Sequence, residues 1–199
     1  MVWTVLVVLG SALLVAGQGD VDECKPPGGL SDLLVWAGGC CNLDDLLPES
    51  FLQSETSCKK RNPIQPLPES GGKSYNQEDL QNYFLCLDEC IFKDLSLLTA
   101  DRRMDHAAVS RYFTASSSDL SPVLDLAVDK CLRVYDRQLD MKVPCHSGAQ
   151  QLRKCLYREA LLACPRSRFN SSPDCDRVQA KVASCPNAFV LLGPRPVSW

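Results

Sequence analysis

The segment NQEDLQNYFLCLDECIF, residues 76–92, decides the fold class. Its apolar residues Leu80, Tyr83, Phe84, Leu87 and Ile91 recur at intervals of three and four, which places them on one stripe of an amphipathic helix with Asn76 as the N-cap. The same helix carries Cys86 and Cys90, four residues apart. At that spacing Cβ atoms stand about 5–6 Å apart, farther than the roughly 3.5–4.5 Å that a disulfide spans. The two cysteines therefore reach different segments, and the helix becomes a double anchor.

The helical period continues on both sides. Within Ser121 to Leu139 the set Leu124, Val128, Leu132, Tyr135 and Leu139 forms a second stripe, opened by Ser121-Pro122 because proline at the first helical position lacks only an N–H that has no partner anyway. Ser147 and Gln150 have capping-box spacing ahead of Leu152, Leu156, Ala160 and Ala163, and Pro165 limits that helix. Ser172-Pro173 opens another, with Cys175, Val178, Val182 and Cys185 on one face before Pro186. Cys155 and Cys164 are nine residues apart, on opposite faces of a helix, so they too bridge to separate partners. Shorter helices are expected in Ser31 to Trp36 and around Ala100 to Phe113, and no run of period two competes. The reading is all-α, a compact bundle of six to eight helices. Arg61 to Ser74, rich in proline and glycine, and Thr114 to Ser118 are expected as loops.

All 12 cysteines lie between Cys24 and Cys185, and the even number argues for about six disulfides. They follow an apolar leader, Met1 to Gly19, that has no acidic residue and closes on the small pair Ala16-Gly17. This reads as a secretory signal peptide over residues 1–17, followed by a single domain over 18–199. No Lys or Arg precedes the apolar run, but a membrane anchor needs about 20 apolar residues, and Gly10-Ser11 interrupts a run already shorter than that. The net charge of −3 and the lack of a basic stripe along the chain argue against nucleic acid.

The order Cys58, Cys86-Leu87-Asp88-Glu89-Cys90, Cys131, Cys145, Cys155, Cys164-Pro165, Cys175 resembles the insect odorant-binding proteins, in their extended, cysteine-rich Plus-C branch best known from mosquitoes. The three-residue gap inside Cys86–Cys90, the eight-residue gap from Cys155 to Cys164 and the proline after Cys164 carry the match, which spans most of the chain after the leader. The resemblance implies an interlocked core of Cys58 with Cys90, Cys86 with Cys155 and Cys131 with Cys164, although either member of Cys40-Cys41 could take the place of Cys58. Cys24, Cys40, Cys41, Cys145, Cys175 and Cys185 would then pair among themselves.

The resemblance also implies a function. Helices held at covalent corners need not pack to full density, so an apolar cavity can persist and take up small hydrophobic molecules, such as odorants, for delivery to a chemosensory receptor. Candidate wall residues are Leu80, Phe84, Leu87, Ile91, Met104, Tyr112, Phe113, Leu124, Val128, Tyr135, Leu152 and Leu156; taken singly each reads first as plain core, and the wall is an expectation for the group. The apolar tail contributes Phe189 and Leu191, which could wall the cavity, exchange with a second copy to make a homodimer, or cover a surface groove. Acid-triggered release would use His106 or His146, or carboxylates such as Asp44-Asp45 and Asp88-Glu89.

No catalytic constellation, cofactor or metal is expected. Cys40-Cys41 followed by Asp44-Asp45 resembles the active-site helix of secreted phospholipases, but Asn42-Leu43 stands where their histidine base is needed. There is no Gly-x-Ser-x-Gly elbow and no HExxH pair. Outside the cell the cysteines oxidise into bridges rather than hold zinc. The sequon Asn170-Ser171-Ser172 precedes Pro173 and is read as unoccupied. The competing function is a secreted interaction protein on the same scaffold, with a filled core and a binding surface for another protein or a host molecule.

Overall fold

A computed structural model describes residues 24–25, 33–43, 46–63, 77–114 and 120–191. In chain order these form strand β1 (Leu33–Trp36), helices α1 (Glu49–Arg61), α2 (Gln77–Asp94), α3 (His106–Thr114) and α4 (Ser121–Leu132), a 3-10 turn (Tyr135–Gln138), α5 (Ala149–Leu162), α6 (Pro173–Ser184) and strand β2 (Ala188–Leu191). The leader, Asn76, Asp44-Asp45, most of the Arg61–Ser74 connection and residues 115–118 of the expected Thr114–Ser118 loop fall outside the described residues.

Helix α1 has no apolar stripe long enough to stand out in sequence, yet Phe51, Ser54 and Cys58 repeat at three and four and are its buried positions. Its ends are electrostatically matched, with Glu49 in the first turn and Lys59, Lys60 and Arg61 in the last. Phe51 is completely buried and meets Phe92 of α2 edge to face at 6.2 Å and Phe113 of α3 at 6.4 Å. Phe92 and Phe113 close the triangle at 6.3 Å. Leu87, Ile91, Val109, Val128, Leu152 and Leu156 pack around these rings and complete a helical core.

A second core lies against the other side of α5. Tyr157, Ala160 and Leu161 meet Val182 of α6, Leu43, Leu46 and the strands, which contribute Val35 and Val190. The strands are parallel, with Leu33 opposite Ala188 and Trp36 opposite Leu191, and Ala37 N–H extends the pairing to the Leu191 carbonyl at 2.9 Å. The expected helix over Ser31 to Trp36 is therefore wrong where the structure describes it. A four-residue apolar run has no helical period of its own, and its backbone groups are satisfied by a partner more than 150 positions away. The fold among the described residues is mainly helical, as the all-α reading expects, with one short parallel strand pair added.

Helix boundaries also differ from the sequence reading, and α3 begins at His106 rather than near Ala100. The stripe through Tyr135 and Leu139 does not continue one helix, because α4 ends at Leu132 and the chain tightens into the 3-10 turn. That turn lays the Tyr135 ring against Gly148, where a Cβ would stand 2.4 Å from ring atom Cδ2. Gly148 is also left-handed, at φ 85°, and it caps α5 in place of the expected Ser147–Gln150 box. Ser147 is instead held by its own N–H, which donates to Glu89 Oε2 at 3.0 Å. Ser172 caps α6 as its sequence requires, accepting from Cys175 N–H at 3.3 Å.

All 12 cysteines are paired. Cys58–Cys90, Cys86–Cys145 and Cys131–Cys155 tie the helical core. Cys24–Cys185, Cys40–Cys175 and Cys41–Cys164 join the N-terminal segment to the C-terminal half across separations of 123 to 161 residues. Of the bridges implied by resemblance, the structure contains Cys58–Cys90 and replaces Cys86–Cys155 and Cys131–Cys164. Cys155 sits in the middle of α5, where α4 packs and presents Cys131, whereas Cys164 lies beyond the end of α5 beside the N-terminal segment. The six remaining cysteines are consequently not a closed set. Cys86 and Cys90, like Cys155 and Cys164, do reach separate partners.

Non-reducing peptide mapping is expected to find Cys86 joined to Cys145 and Cys131 to Cys155; a Cys86–Cys155 peptide would overturn this arrangement. Phe51→Ala removes one side of the aromatic triangle and is expected to cost about 3–5 kcal/mol in urea unfolding. Leu126→Ala, at a side chain 74 % exposed, is expected to stay within about 0.5 kcal/mol of the parent.

Candidate functional site

The expected cavity wall gathers mostly into the helical core. Leu87, Ile91, Met104, Phe113, Val128, Tyr135, Leu152 and Leu156 belong to it, with Tyr112 packed on its edge. Leu124 belongs instead to the second core, and Phe84 is exposed on α2. Leu80 lies in α2, with its side chain outside what the structure describes. Phe189 and Leu191 lie in β2, so this part of the tail is a strand of the second core, paired within the same chain.

The wall residues in the interior touch one another rather than a void. Ile91 and Leu152 have 0 % exposure, Phe113 and Val128 1 %, and Leu87 and Leu156 2 %. Such values leave almost no surface that a water-sized sphere could reach, from outside or from an internal hole. One path of rings connects this interior with the surface. Half-buried Tyr112 stacks edge to face on Phe113 at 5.2 Å, and Phe113 meets Phe51 and Phe92. The Tyr112 hydroxyl is 2.8 Å from Ser50 Oγ at the rim, and burial raises its pKa.

Two half-open clefts lie elsewhere. One, of about 440 Å³, is lined by Gly39, Cys41 to Leu43 and Ser167 to Asn170, where the backbones of Cys41 and Phe169 bridge. Asn170 of the sequon is exposed there. The other, of about 550 Å³, lies where α4, the 3-10 turn and α5 meet the turn before β2, and Tyr135 is the one expected wall residue that lines it. Its cations, Lys130, Arg137, Lys154 and Arg158, are scattered along the chain, which is why no basic stripe is legible in sequence.

Sequence reading also missed a buried charge pair between the two cores. Asp88 of α2 is wholly buried and Arg153 of α5 nearly so, with Arg153 Nη2 3.1 Å from Asp88 Oδ2. The charges touch, but the alignment is not that of a hydrogen bond, and both Asp88 oxygens and Arg153 Nε lack hydrogen-bond partners. Arg153 also stacks on the Tyr157 ring, 5.8 Å from its centroid. Desolvation raises the Asp88 pKa to about 6 despite the opposing pull of Arg153. Burial likewise pushes the Tyr157 hydroxyl up to about 12.

Nothing among the described residues assembles a nucleophile with a base. His106 is exposed, with its ring 6.0 Å from Tyr135, and His146 Nδ1 lies 3.1 Å from the Val143 carbonyl. The one close group of metal-ligating atoms among them, Cys58, Cys90 and Asp94, contains two sulfurs already joined to each other. No helix among the described residues is long and apolar enough to cross a membrane.

The Asp88 shift has a definite sign in stability. The folded protein holds this proton up to about pH 6, whereas an unperturbed aspartate releases it near 3.8. Across that window the folded state binds more protons, so the contribution of Asp88 is fully present below pH 3.8 and is lost as pH rises through about 6. Asp88→Asn is therefore expected to compare more favourably with the parent at pH 7 than at pH 4 in urea unfolding; an equal difference at both would show that Asp88 titrates normally. No protein-family model matches this chain, and no curated protein matches it significantly.

Proposed function

We propose that this protein is an extracellular carrier of the odorant-binding type, taking up small hydrophobic molecules and delivering them to a chemosensory receptor. The observation that carries this reading is the ring path from Tyr112 through Phe113 to Phe51 and Phe92, which ends in an interior built from apolar side chains. The cysteine order, the six disulfides and the mainly helical body support it and suit an oxidising extracellular fluid.

Because the interior is filled, uptake requires the Tyr112 and Phe113 rings to swing aside while the disulfides hold the backbones in place. A volatile that buries about 300 Å² of apolar surface gains about 7 kcal/mol before the cost of immobilisation. Affinity is therefore micromolar at best. The binding force is non-directional, and the Tyr112 and Ser50 hydroxyls are the polar groups at the rim that can orient a ligand. The near-zero exposure of Ile91, Leu152 and Phe113 favours a second reading, a secreted interaction protein with a closed core.

Titration of the oxidised protein with the neutral dye N-phenylnaphthylamine separates the two. A carrier gives saturable uptake with blue-shifted emission, reversed by small volatiles and accompanied by shifts of the Tyr112 and Phe113 ring resonances. Absence of uptake would remove the carrier and leave the interaction protein.

A further inference from the structure

We propose that Asn170 is the acceptor of an N-linked glycan, attached while the chain passes through the secretory pathway; this rests on the extracellular reading and not on the carrier. Asn170-Ser171-Ser172 is the one Asn-x-Ser/Thr sequence in the chain, and its middle position is not proline. Pro173 behind it is the reason to expect an unoccupied sequon, because proline drives the residue before it out of the helical region and into extended backbone. Ser172 is indeed extended, at φ −121° and ψ 152°. Its N–H nevertheless donates to the Asn170 carbonyl at 2.8 Å, so the three residues close a tight turn in the very conformation that Pro173 favours. The proline therefore leaves the asparagine and the hydroxyl two residues later on one turn.

The glycan is added to the chain before it has folded, so the folded protein must also leave room for the product. Asn170 is exposed, and so are Ser171, Pro173 and Asp174. Asn170 is anchored by its backbone, its N–H donating to the Cys40 carbonyl at 2.8 Å and its own carbonyl accepting from Ser172. Beside it the backbones of Cys41 and Phe169 bridge, and Cys40–Cys175 and Cys41–Cys164 tie the same two segments covalently. None of these contacts uses the Asn170 side chain, so a substituent on Nδ2 leaves them in place. Asn170 also lines the cleft of about 440 Å³ with Gly39, Leu43 and Phe169. A bulky, polar glycan rooted there covers the seam between the N-terminal segment and the loop before α6.

The donor is an oligosaccharide carried on a lipid pyrophosphate. Asn170 Nδ2 bonds to the anomeric carbon, the anomeric C–O bond breaks, the lipid pyrophosphate leaves with the electron pair, and the amide gives up one proton to base.

The test is expression of the full chain, leader included, in a eukaryotic secretory host, with medium and lysate both analysed. The secreted parent is expected to migrate faster after treatment with peptide N-glycosidase, and peptide mapping is expected to find Asn170 converted to aspartate by that treatment. Asn170→Gln should migrate like the treated parent and be insensitive to the enzyme. Ser172→Ala should lose the glycan although the asparagine is intact, whereas Ser172→Thr, which keeps both the hydroxyl and the cap of α6, should retain it. A secreted parent that the enzyme does not shift, with Asn170 unmodified, overturns the proposal and leaves the extracellular reading standing. Retention of an unmodified chain in the cytosol overturns both. A glycan that appears only in Pro173→Ala would show that the proline blocks the sequon and would overturn the proposal as well.

Discussion

Helix α5 is buried against two different halves of the protein at once, and the remaining structure is arranged around that constraint. None of its 14 residues is fully exposed. Leu152 and Leu156 complete the aromatic helical core, while Tyr157, Ala160 and Leu161 complete the core of α6 and the strands. A helix covered on both sides cannot shift to improve one contact without loosening the other. This accounts for the care with which its start is fixed, by a glycine that admits the Tyr135 ring and by Glu89 holding the Ser147 N–H.

The disulfides divide along the same line. Three lie among the helices, and three draw the segment around Cys24, Cys40 and Cys41 onto the C-terminal half. Closing loops of more than 120 residues removes much of the freedom of the unfolded chain, worth about 4–5 kcal/mol for each such loop in the chain-entropy account. The two-stranded sheet, too small to be stable by itself, persists because Cys24–Cys185 and Cys40–Cys175 deliver its strands to the same place. Between the cores, Asp88 and Arg153 place charge where apolar packing would be cheaper. Such a pair contributes little net stability, and removing one partner exposes the desolvation cost of the other.

Much of the helical body was legible in sequence because its signals are local. The helix α2 itself, though not its full apolar stripe, the Ser172-Pro173 start of α6 and the separate partners of Cys86 and Cys90 depend on spacing alone. Phe51 was not legible as the centre of the core, since a single ring on a mostly polar helix looks the same whether it meets another ring or water. The basic cleft was hidden for a related reason, its cations coming from α4, the 3-10 turn and α5.

The amino-acid sequence by itself determined the helical class, the oxidation of the cysteines to bridges and the rule that closely spaced cysteines part company, because each follows from the geometry of one helix or the parity of a count. Only the tertiary structure decided which cysteine meets which, that Leu33–Trp36 and Ala188–Leu191 are strands, and that most of the expected cavity wall lies in one packed core. Those outcomes depend on contacts between residues distant in the chain. Local periodicity carries no information about them, since it says which face is apolar and not what that face will meet.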